Sequence, residues 1–303
     1  MDSIRQKLQG LQAIMITPFN KDLSVDYGGL KHNTQRLVAE GAAWLTPAGN
    51  AGEFSKLSES EYRKVIQTVY EAAGGKAVVV PGVTSCSIIV AVELCKFAKD
   101  LGCNAAMMAP PFCGLCNYQG ARVFFESVMD QTDIPLMFYY YPDHFNTHLT
   151  VNEFASLMEL KNFVAVKETS NNVVIFTQIL RKVKDKVNII SGTGIMAMPI
   201  YAIEGAKGYI SSLINVMPDV EVYMARTLAE KKYETYRKQR DELGDILDYM
   251  TGRPFLSLVK KTAGHFDLAG GFVRPPDIEI DPTEAVEFAA IIKRTKEKIL
   301  TIK

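Results

Sequence analysis

Apolar residues fall along the chain in eight short runs, separated by amphipathic stretches, up to about residue 230. The runs are "QAIMITPF" from Gln12, "AAWLTPA" from Ala42, "AVVVPGV" from Ala77, "AAMMAPP" from Ala105, "PLMFYYY" from Pro135, "FVAVKET" from Phe163, "VNIISG" from Val187 and "KGYISSL" from Lys207. Between them apolar positions return at helical spacing, as over 59–73, 87–101, 118–131, 150–159, 173–183 and 217–230. The runs are near-continuous rather than alternating, the pattern of parallel strands covered on both faces. Eight strand–helix units in succession predict an α/β fold, a (β/α)8 TIM barrel over residues 1–230. An open doubly wound sheet is the alternative, but a lone "GTG" at 192–194 is weak support for a dinucleotide site. Beyond residue 230 the rhythm changes. Segments 231–251, 254–264 and 282–298 are helical with no strand between them, so 231–303 reads as a C-terminal helical region packed beside the barrel.

Composition narrows the function more than the fold. Of 303 residues, 48% are hydrophobic and 22% charged, with 34 basic against 34 acidic. That balance removes the electrostatic case for nucleic acid or an anionic membrane as partner. No apolar run reaches the roughly 18 residues that span a bilayer. The first ten residues, "MDSIRQKLQG", lack the basic–apolar–small order of a signal peptide, so a cytoplasmic protein is expected. Five scattered cysteines, Cys86, Cys95, Cys103, Cys113 and Cys116, fit reduced thiols better than a disulfide framework. Cys113 and Cys116 have C-x-x-C spacing, but no second such pair completes a zinc site.

The run from Phe163 ends on a lysine, Lys167, backed by Glu168, Thr169 and Ser170. In a barrel, chemistry sits at the C-terminal ends of the strands. A lysine flanked by Val164 and Val166 is desolvated, which penalises the ammonium and lowers its pKa. A neutral amine attacks a ketone to form a Schiff base. The bland alternatives are a lysine snorkelling to solvent or pairing with Glu168. One strand earlier stand Tyr139, Tyr140 and Tyr141, and a phenol beside the amine would shuttle protons. Strand alternation puts Tyr139 and Tyr141 on one face, so at most two of the three point inward.

These residues, with the loop Gly49-Asn-Ala-Gly52-Glu53 after the second run and Tyr139-Tyr-Tyr-Pro142 at the fifth, carry a family resemblance. In order and on the expected strands, they resemble the dihydrodipicolinate synthase/N-acetylneuraminate lyase family of class I aldolases and dehydratases. The resemblance covers almost the whole chain. It implies that Lys167 is the Schiff-base nucleophile toward a 2-oxo acid and Tyr139 the proton shuttle. It implies that backbone amides around Asn50 and Ala51 bind the substrate carboxylate, and that Ile210 contacts the oxo acid through its backbone. It also implies a homotetramer built as a dimer of dimers, with no cofactor and no metal. Glu53 reads as a holder of its loop rather than a catalyst, and Thr169 either lines the pocket or ends the strand.

Three positions depart from the lysine-pathway members of that family. Asn50 stands where they carry a threonine, Phe112 where they carry a tyrosine, and Asp143-His144 where an arginine for the aldehyde's carboxylate is expected. A histidine does not replace a bidentate guanidinium. "PAGNAGEF", "RPFLSLVK" and "GGFVRPP" are similar to the 5-dehydro-4-deoxyglucarate dehydratase branch, with His144, Asn146 and His148 as partners for a hydroxylated tail. The resulting expectation is a dehydratase or aldolase of 2-keto-3-deoxy sugar acids. The alternatives are 4-hydroxy-tetrahydrodipicolinate synthase, using pyruvate and aspartate semialdehyde, and a non-catalytic 2-oxo-acid sensor. His144 and His148 have H-x3-H spacing, but lie in a loop without a clear third ligand beyond Asp143, so no metal is expected.

Overall fold

The computed structural model describes residues 2–194 and 198–303. Its eight strands are β1 (Gly10–Ile14), β2 (Trp44–Thr46), β3 (Val78–Val79), β4 (Ala106–Met108), β5 (Leu136–Tyr140), β6 (Phe163–Glu168), β7 (Asn188–Ser191) and β8 (Gly208–Ser211). All eight belong to one sheet, and helices follow the strands along the chain, giving an α/β, TIM-barrel-like fold. Every strand lies within or beside one of the apolar runs, but most are shorter than the run. Pro81 has no N–H to give, so β3 stops at Val79, and β1 begins two residues before its run and ends at Ile14. The remaining apolar residues continue into buried loops such as Met15–Thr17.

Two compact units divide the chain, Met1–Gln12 with Val78–Ile210, and Ala13–Ala77 with Ser211–Lys303. In the first unit β4 to β8 pair parallel in chain order, and the segment after β3 meets β4 through a parallel bridge from Gly82 to Met107. One face of this sheet is held by aromatic packing. Phe138 meets Phe125, Phe154 and Phe163 at centroid distances of 5.4, 5.8 and 5.7 Å. A register shift between Leu136 and Met137 resets the β5–β6 ladder, so that Tyr139 stands opposite Lys167. Helix Val173–Val183 starts on an Asn172 cap, whose side chain accepts from the Ile175 N–H, and its apolar stripe buries Phe176, Ile179 and Leu180.

The second unit contains β2 and the helices that the charged C-terminal rhythm predicts. The stretch 231–251 is two helices, Tyr233–Asp241 and Gly244–Met250, followed by Phe255–Ala263 and Pro282–Thr301. The last is opened by a capping box between Asp281 and Glu284. Helix Tyr27–Glu40 is the longest of the elements that the hydrophobic pattern conceals, because its first turn carries Gly28 and Gly29 and its apolar positions are few. The Asn215 side chain ties this unit's first segment down, accepting from Ile16 N–H at 3.2 Å and donating to the Ile14 carbonyl at 2.8 Å. No described helix is long and apolar enough to cross a membrane.

Candidate functional site

β6 is buried along all six residues, and its ladder sets the level of the site. Tyr139 on β5 pairs with Lys167, Lys167 with Ile190 on β7, and Ile190 with Gly208 on β8. Adjacent residues on a strand face opposite ways, so Lys167 and Glu168 diverge. Glu168 accepts from the Ser170 N–H at 2.9 Å, while its Oε2 has no hydrogen-bond partner among the described residues. The snorkelling and Lys167–Glu168 pairing alternatives both fail. Lys167 is 5% exposed, and among the described residues no carboxylate forms an ion pair with it.

Its Nζ instead lies 3.8 Å from the centroid of the Tyr139 ring. A ring face favours the ammonium by roughly 0.5–2 kcal/mol, whereas burial disfavours it by more. Burial wins. It pulls the Lys167 pKa down to about 7, so a large fraction of the amine is neutral near pH 7. Burial also raises the pKa of the Tyr139 phenol, with Tyr141 adding to the rise, so this tyrosine rests protonated. The tyrosine triplet separates as alternation requires. Tyr139 and Tyr141 approach at 6.3 Å, while the Tyr140 hydroxyl is occupied by the backbone of Leu149 at 3.4 and 3.5 Å.

His144 sits in the short helix Pro142–Phe145, stacked on Tyr141 at 5.1 Å and edge-on to Phe145 at 4.8 Å. Although the residue keeps an exposed edge, partial desolvation first, and the charge of Lys167 second, hold its pKa below the ordinary imidazole value, which favours the neutral form at pH 7. The Asp143 carboxylate does not reverse this.

Thr169, at the end of β6, is buried, and its Oγ1 has no hydrogen-bond partner among the described residues. Gly192 makes this arrangement possible. A Cβ there would stand 2.0 Å from Thr169 Oγ1 and 3.1 Å from Lys167 Cγ. The "SGTG" run therefore serves close packing at the strand end, and the Ser191 and Thr193 hydroxyls bond each other at 2.8 Å. Ile210 is buried on β8, one residue past the Ser191–Tyr209 pair. Lys167, Tyr139, His144, Thr169 and Ile210 thus all belong to the first unit. The sequence pattern did not point to Gly192 or Phe145, and it offered Glu168 only as a partner for Lys167. Gly192 was visible only as part of a weak glycine motif, and Phe145 left no signal.

Asn50 and Ala51 belong to the second unit. Their loop is a tight turn in which Gly52 N–H donates to the Gly49 carbonyl and Glu53 N–H to the Asn50 carbonyl, each at 3.0 Å. A Cβ on Gly52 would stand 3.1 Å from both Ala48 N and Met15 O, so the turn requires glycine. The amides of Asn50 and Ala51 have no internal partner among the described residues. Glu53 anchors the loop from below. It accepts from Lys260 at 2.6 Å, Lys56 at 3.0 Å and the Arg274 N–H at 3.1 Å. Among the described residues no three His, Cys, Asp or Glu side chains gather as a metal ligand set, and His148 is exposed.

The sequence model of the Dihydrodipicolinate synthetase family matches residues 7–295. The 4-hydroxy-tetrahydrodipicolinate synthase of Archaeoglobus fulgidus is 30% identical over 94% of this chain and 97% of its own length. The protein of the same name from Methanosarcina mazei is 28% identical over 94% of this chain and 98% of its own. The crystal structure of dihydrodipicolinate synthase from Oceanobacillus iheyensis superposes with a TM-score of 0.89 at 26% identity, covering 97% of this chain and 99% of that one. The structure of the Aquifex aeolicus dihydrodipicolinate synthase gives 0.88 at 26%, covering 95% and 98%.

Proposed function

Starting from a chain that belongs to the dihydrodipicolinate synthetase family, and so is a lyase of the class I aldolase type, we propose that Lys167 forms a Schiff base with a 2-oxo acid. The observation that carries the reading is a buried lysine with no acidic partner among the described residues, its amine held over Tyr139. The neutral amine attacks the C2 carbonyl to give a carbinolamine. Tyr139 gives its proton to the departing hydroxyl, water leaves, and the iminium draws electrons from C3. The phenolate so formed is placed to take a proton back. Thr169 offers a hydroxyl to the substrate, and Ile210 its backbone. The unpaired amides of Asn50 and Ala51 are suited to a carboxylate. Incubation with pyruvate and borohydride should add one covalent mass, located on Lys167. An adduct on another lysine would sink the mechanism.

What reacts with the oxo acid's C3 divides two readings. The shared name of the relatives supports condensation with aspartate semialdehyde, the 4-hydroxy-tetrahydrodipicolinate synthase reaction, and this reading takes first place. A second reading keeps the 2-keto-3-deoxy sugar acids and the 5-dehydro-4-deoxyglucarate dehydratase-like branch. It rests on His144, which is neutral where the aldehyde's carboxylate would want a cation. Asn146 and Thr169 would offer further polar partners for the hydroxyls of such a substrate. Comparing kcat/KM for pyruvate plus aspartate semialdehyde with a panel of 2-keto-3-deoxy sugar acids decides between them. Mass spectrometry then separates loss of water from release of pyruvate. The sensor alternative is dropped, since the family is one of lyases. A cytoplasmic homotetramer, as a dimer of dimers, accompanies the proposal through the family resemblance; a strict monomer in sedimentation at micromolar concentration would contradict it.

A further inference from the structure

Spacing along the sequence pairs Cys113 with Cys116, whereas the folded chain sets Cys113 beside Cys86. In the first unit the segments following β3 and β4 run together. The Ala109 N–H donates to Thr84 Oγ1 at 3.1 Å, and the Phe112 N–H donates to Cys86 Sγ at 3.3 Å. The second of these bonds brings the Cys86 sulfur to the residue next to Cys113. The Cys113 thiol lies against it, and hydrogen bonding to Cys86 holds the Cys113 pKa above the ordinary thiol value. Cys116 is also within electrostatic reach of Cys86, but its Sγ is buried, donates to the Asn117 carbonyl at 3.8 Å and is bonded to Thr147, so it is the less accessible of the two neighbours. Cys113 is exposed, Cys86 is half-buried, and Leu115 in the same loop is 77% exposed, so a small reagent in solvent reaches the pair. Cys95 and Cys103 are different: both are buried, with pKa values pushed up to about 12, and are inert.

We propose that Cys86 and Cys113 form a reversible intrachain disulfide on exposure to a low-molecular-weight disulfide, and that closing this bond slows turnover. The thiolate of one of the two cysteines attacks one sulfur of the small disulfide and expels one thiolate. The other then attacks the sulfur so capped and expels the second. Two protein thiols are oxidised, one small disulfide is reduced to two thiols, and the two thiol protons pass to the leaving groups. The bond would join residues on either side of Phe112. The Phe112 ring packs on Phe145 at 5.9 Å, and Phe145 stands edge-on to Tyr139 at 5.0 Å, so pulling this loop moves the rings that hold the phenol. The effect on turnover rests on the role proposed above for Tyr139; the bond itself does not.

The test treats the whole protein with oxidised glutathione, alkylates the remaining thiols, and maps the non-reduced peptides by mass. The expected result is a loss of two hydrogen masses and a peptide joining Cys86 to Cys113. The kcat should fall on the order of 10-fold, since small misplacements of a catalytic group are costly. Dithiothreitol should reverse both. Cys116→Ser should behave as wild type. Cys86→Ser and Cys113→Ser should keep their turnover in reducing buffer and lose both the bond and the inhibition. A Cys113–Cys116 link, a covalent dimer on a non-reducing gel, a persistent glutathione adduct without a link, or a Cys86–Cys113 link that leaves kcat unchanged would each overturn the proposal. Borohydride trapping at Lys167 in reducing buffer reports on the Schiff-base reading separately, so the two failures are distinguishable.

Discussion

Lys167 and Lys260 are both buried, both unprotonated more readily than a free lysine, and both set against an aromatic ring. Lys167 lies 3.8 Å from the Tyr139 centroid and Lys260 lies 4.1 Å from that of Phe19. They differ in one partner. Lys260 donates to Glu53 at 2.6 Å, and that carboxylate opposes the desolvation, leaving a pKa of about 8. Lys167 has burial alone and falls to about 7. A carboxylate turns a buried lysine into a strut, because the proton is shared and the amine cannot leave its partner to attack a carbonyl. Its absence leaves an amine free to act as the nucleophile proposed above. The surrounding shells match this division of labour. Glu53, Lys56 and Arg274 cross-brace the loop 49–53 around Lys260, whereas Lys167 is bordered by a phenol, an unpaired hydroxyl and a glycine.

The largest effect that would break this contrast is the loss of chemistry. Lys167→Ala should abolish the borohydride-trapped adduct and detectable turnover, and Lys167→Arg should do the same, since a guanidinium is never neutral near pH 7. Lys260→Met, nearly matched in volume, should still give an adduct at Lys167. Peptide mapping checks both, and a wild-type adduct on Lys260 would reverse the assignment. Next in size is Tyr139→Phe, which keeps the ring under the amine and removes its hydroxyl. The kcat should fall by roughly 10²–10⁴ with little change in melting temperature. Tyr140→Phe should leave kcat near wild type, because the Tyr140 hydroxyl is engaged with Leu149. If Tyr139→Phe turns over normally, the shuttle is Tyr141 or a water.

Only one of the two lysines was legible in the sequence. Lys167 ends a continuous apolar run, and the tyrosines one strand earlier turned the reading away from a snorkelling or Glu168-paired lysine. Lys260 closes "RPFLSLVK" in helix Phe255–Ala263, where a last-turn lysine normally meets the helix dipole and solvent. Its partner Glu53 is 207 residues away in sequence, a separation that no local pattern reports. The fold divides in the same way. Strand positions followed from apolar runs, but strand ends did not, since loops such as Met15–Thr17 are as buried as the strands they leave. Helix Tyr27–Glu40 was hidden by its glycines, and the break at Leu243 between two charged helices left no hydrophobic mark.

A third prediction concerns the strut. Glu53→Leu leaves the Lys260 ammonium buried without its carboxylate, and breaking a buried pair from one side costs about 3–5 kcal/mol. Urea denaturation should show a loss of that order. The double variant Glu53→Leu/Lys260→Met should recover most of it, because both charges are then gone and the two effects are coupled. Additive losses would mean that Lys56 and Arg274, not Lys260, are the partners that matter to Glu53.

The smallest effect separates the lysines by pH. Folding lowers the Lys167 pKa from 10.5 to about 7, through burial. Between those two values the unfolded chain holds a proton at this position that the folded chain has given up. Stability therefore rises with pH across the window, and the burden of burying the ammonium is fully present below about pH 7. Lys260 acts with the same sign over the narrower span from about 8 to 10.5. Lys167→Met removes the first slope and leaves the second. The variant should be more stable than wild type, by the most below pH 7 and by progressively less toward pH 10. Contributions shared by both proteins, such as those of the buried thiols, cancel in the difference. Paired urea curves at several pH values measure it. A gain that does not change with pH would mean that Lys167 keeps one protonation state throughout, and then nothing distinguishes it from a lysine that merely fills space.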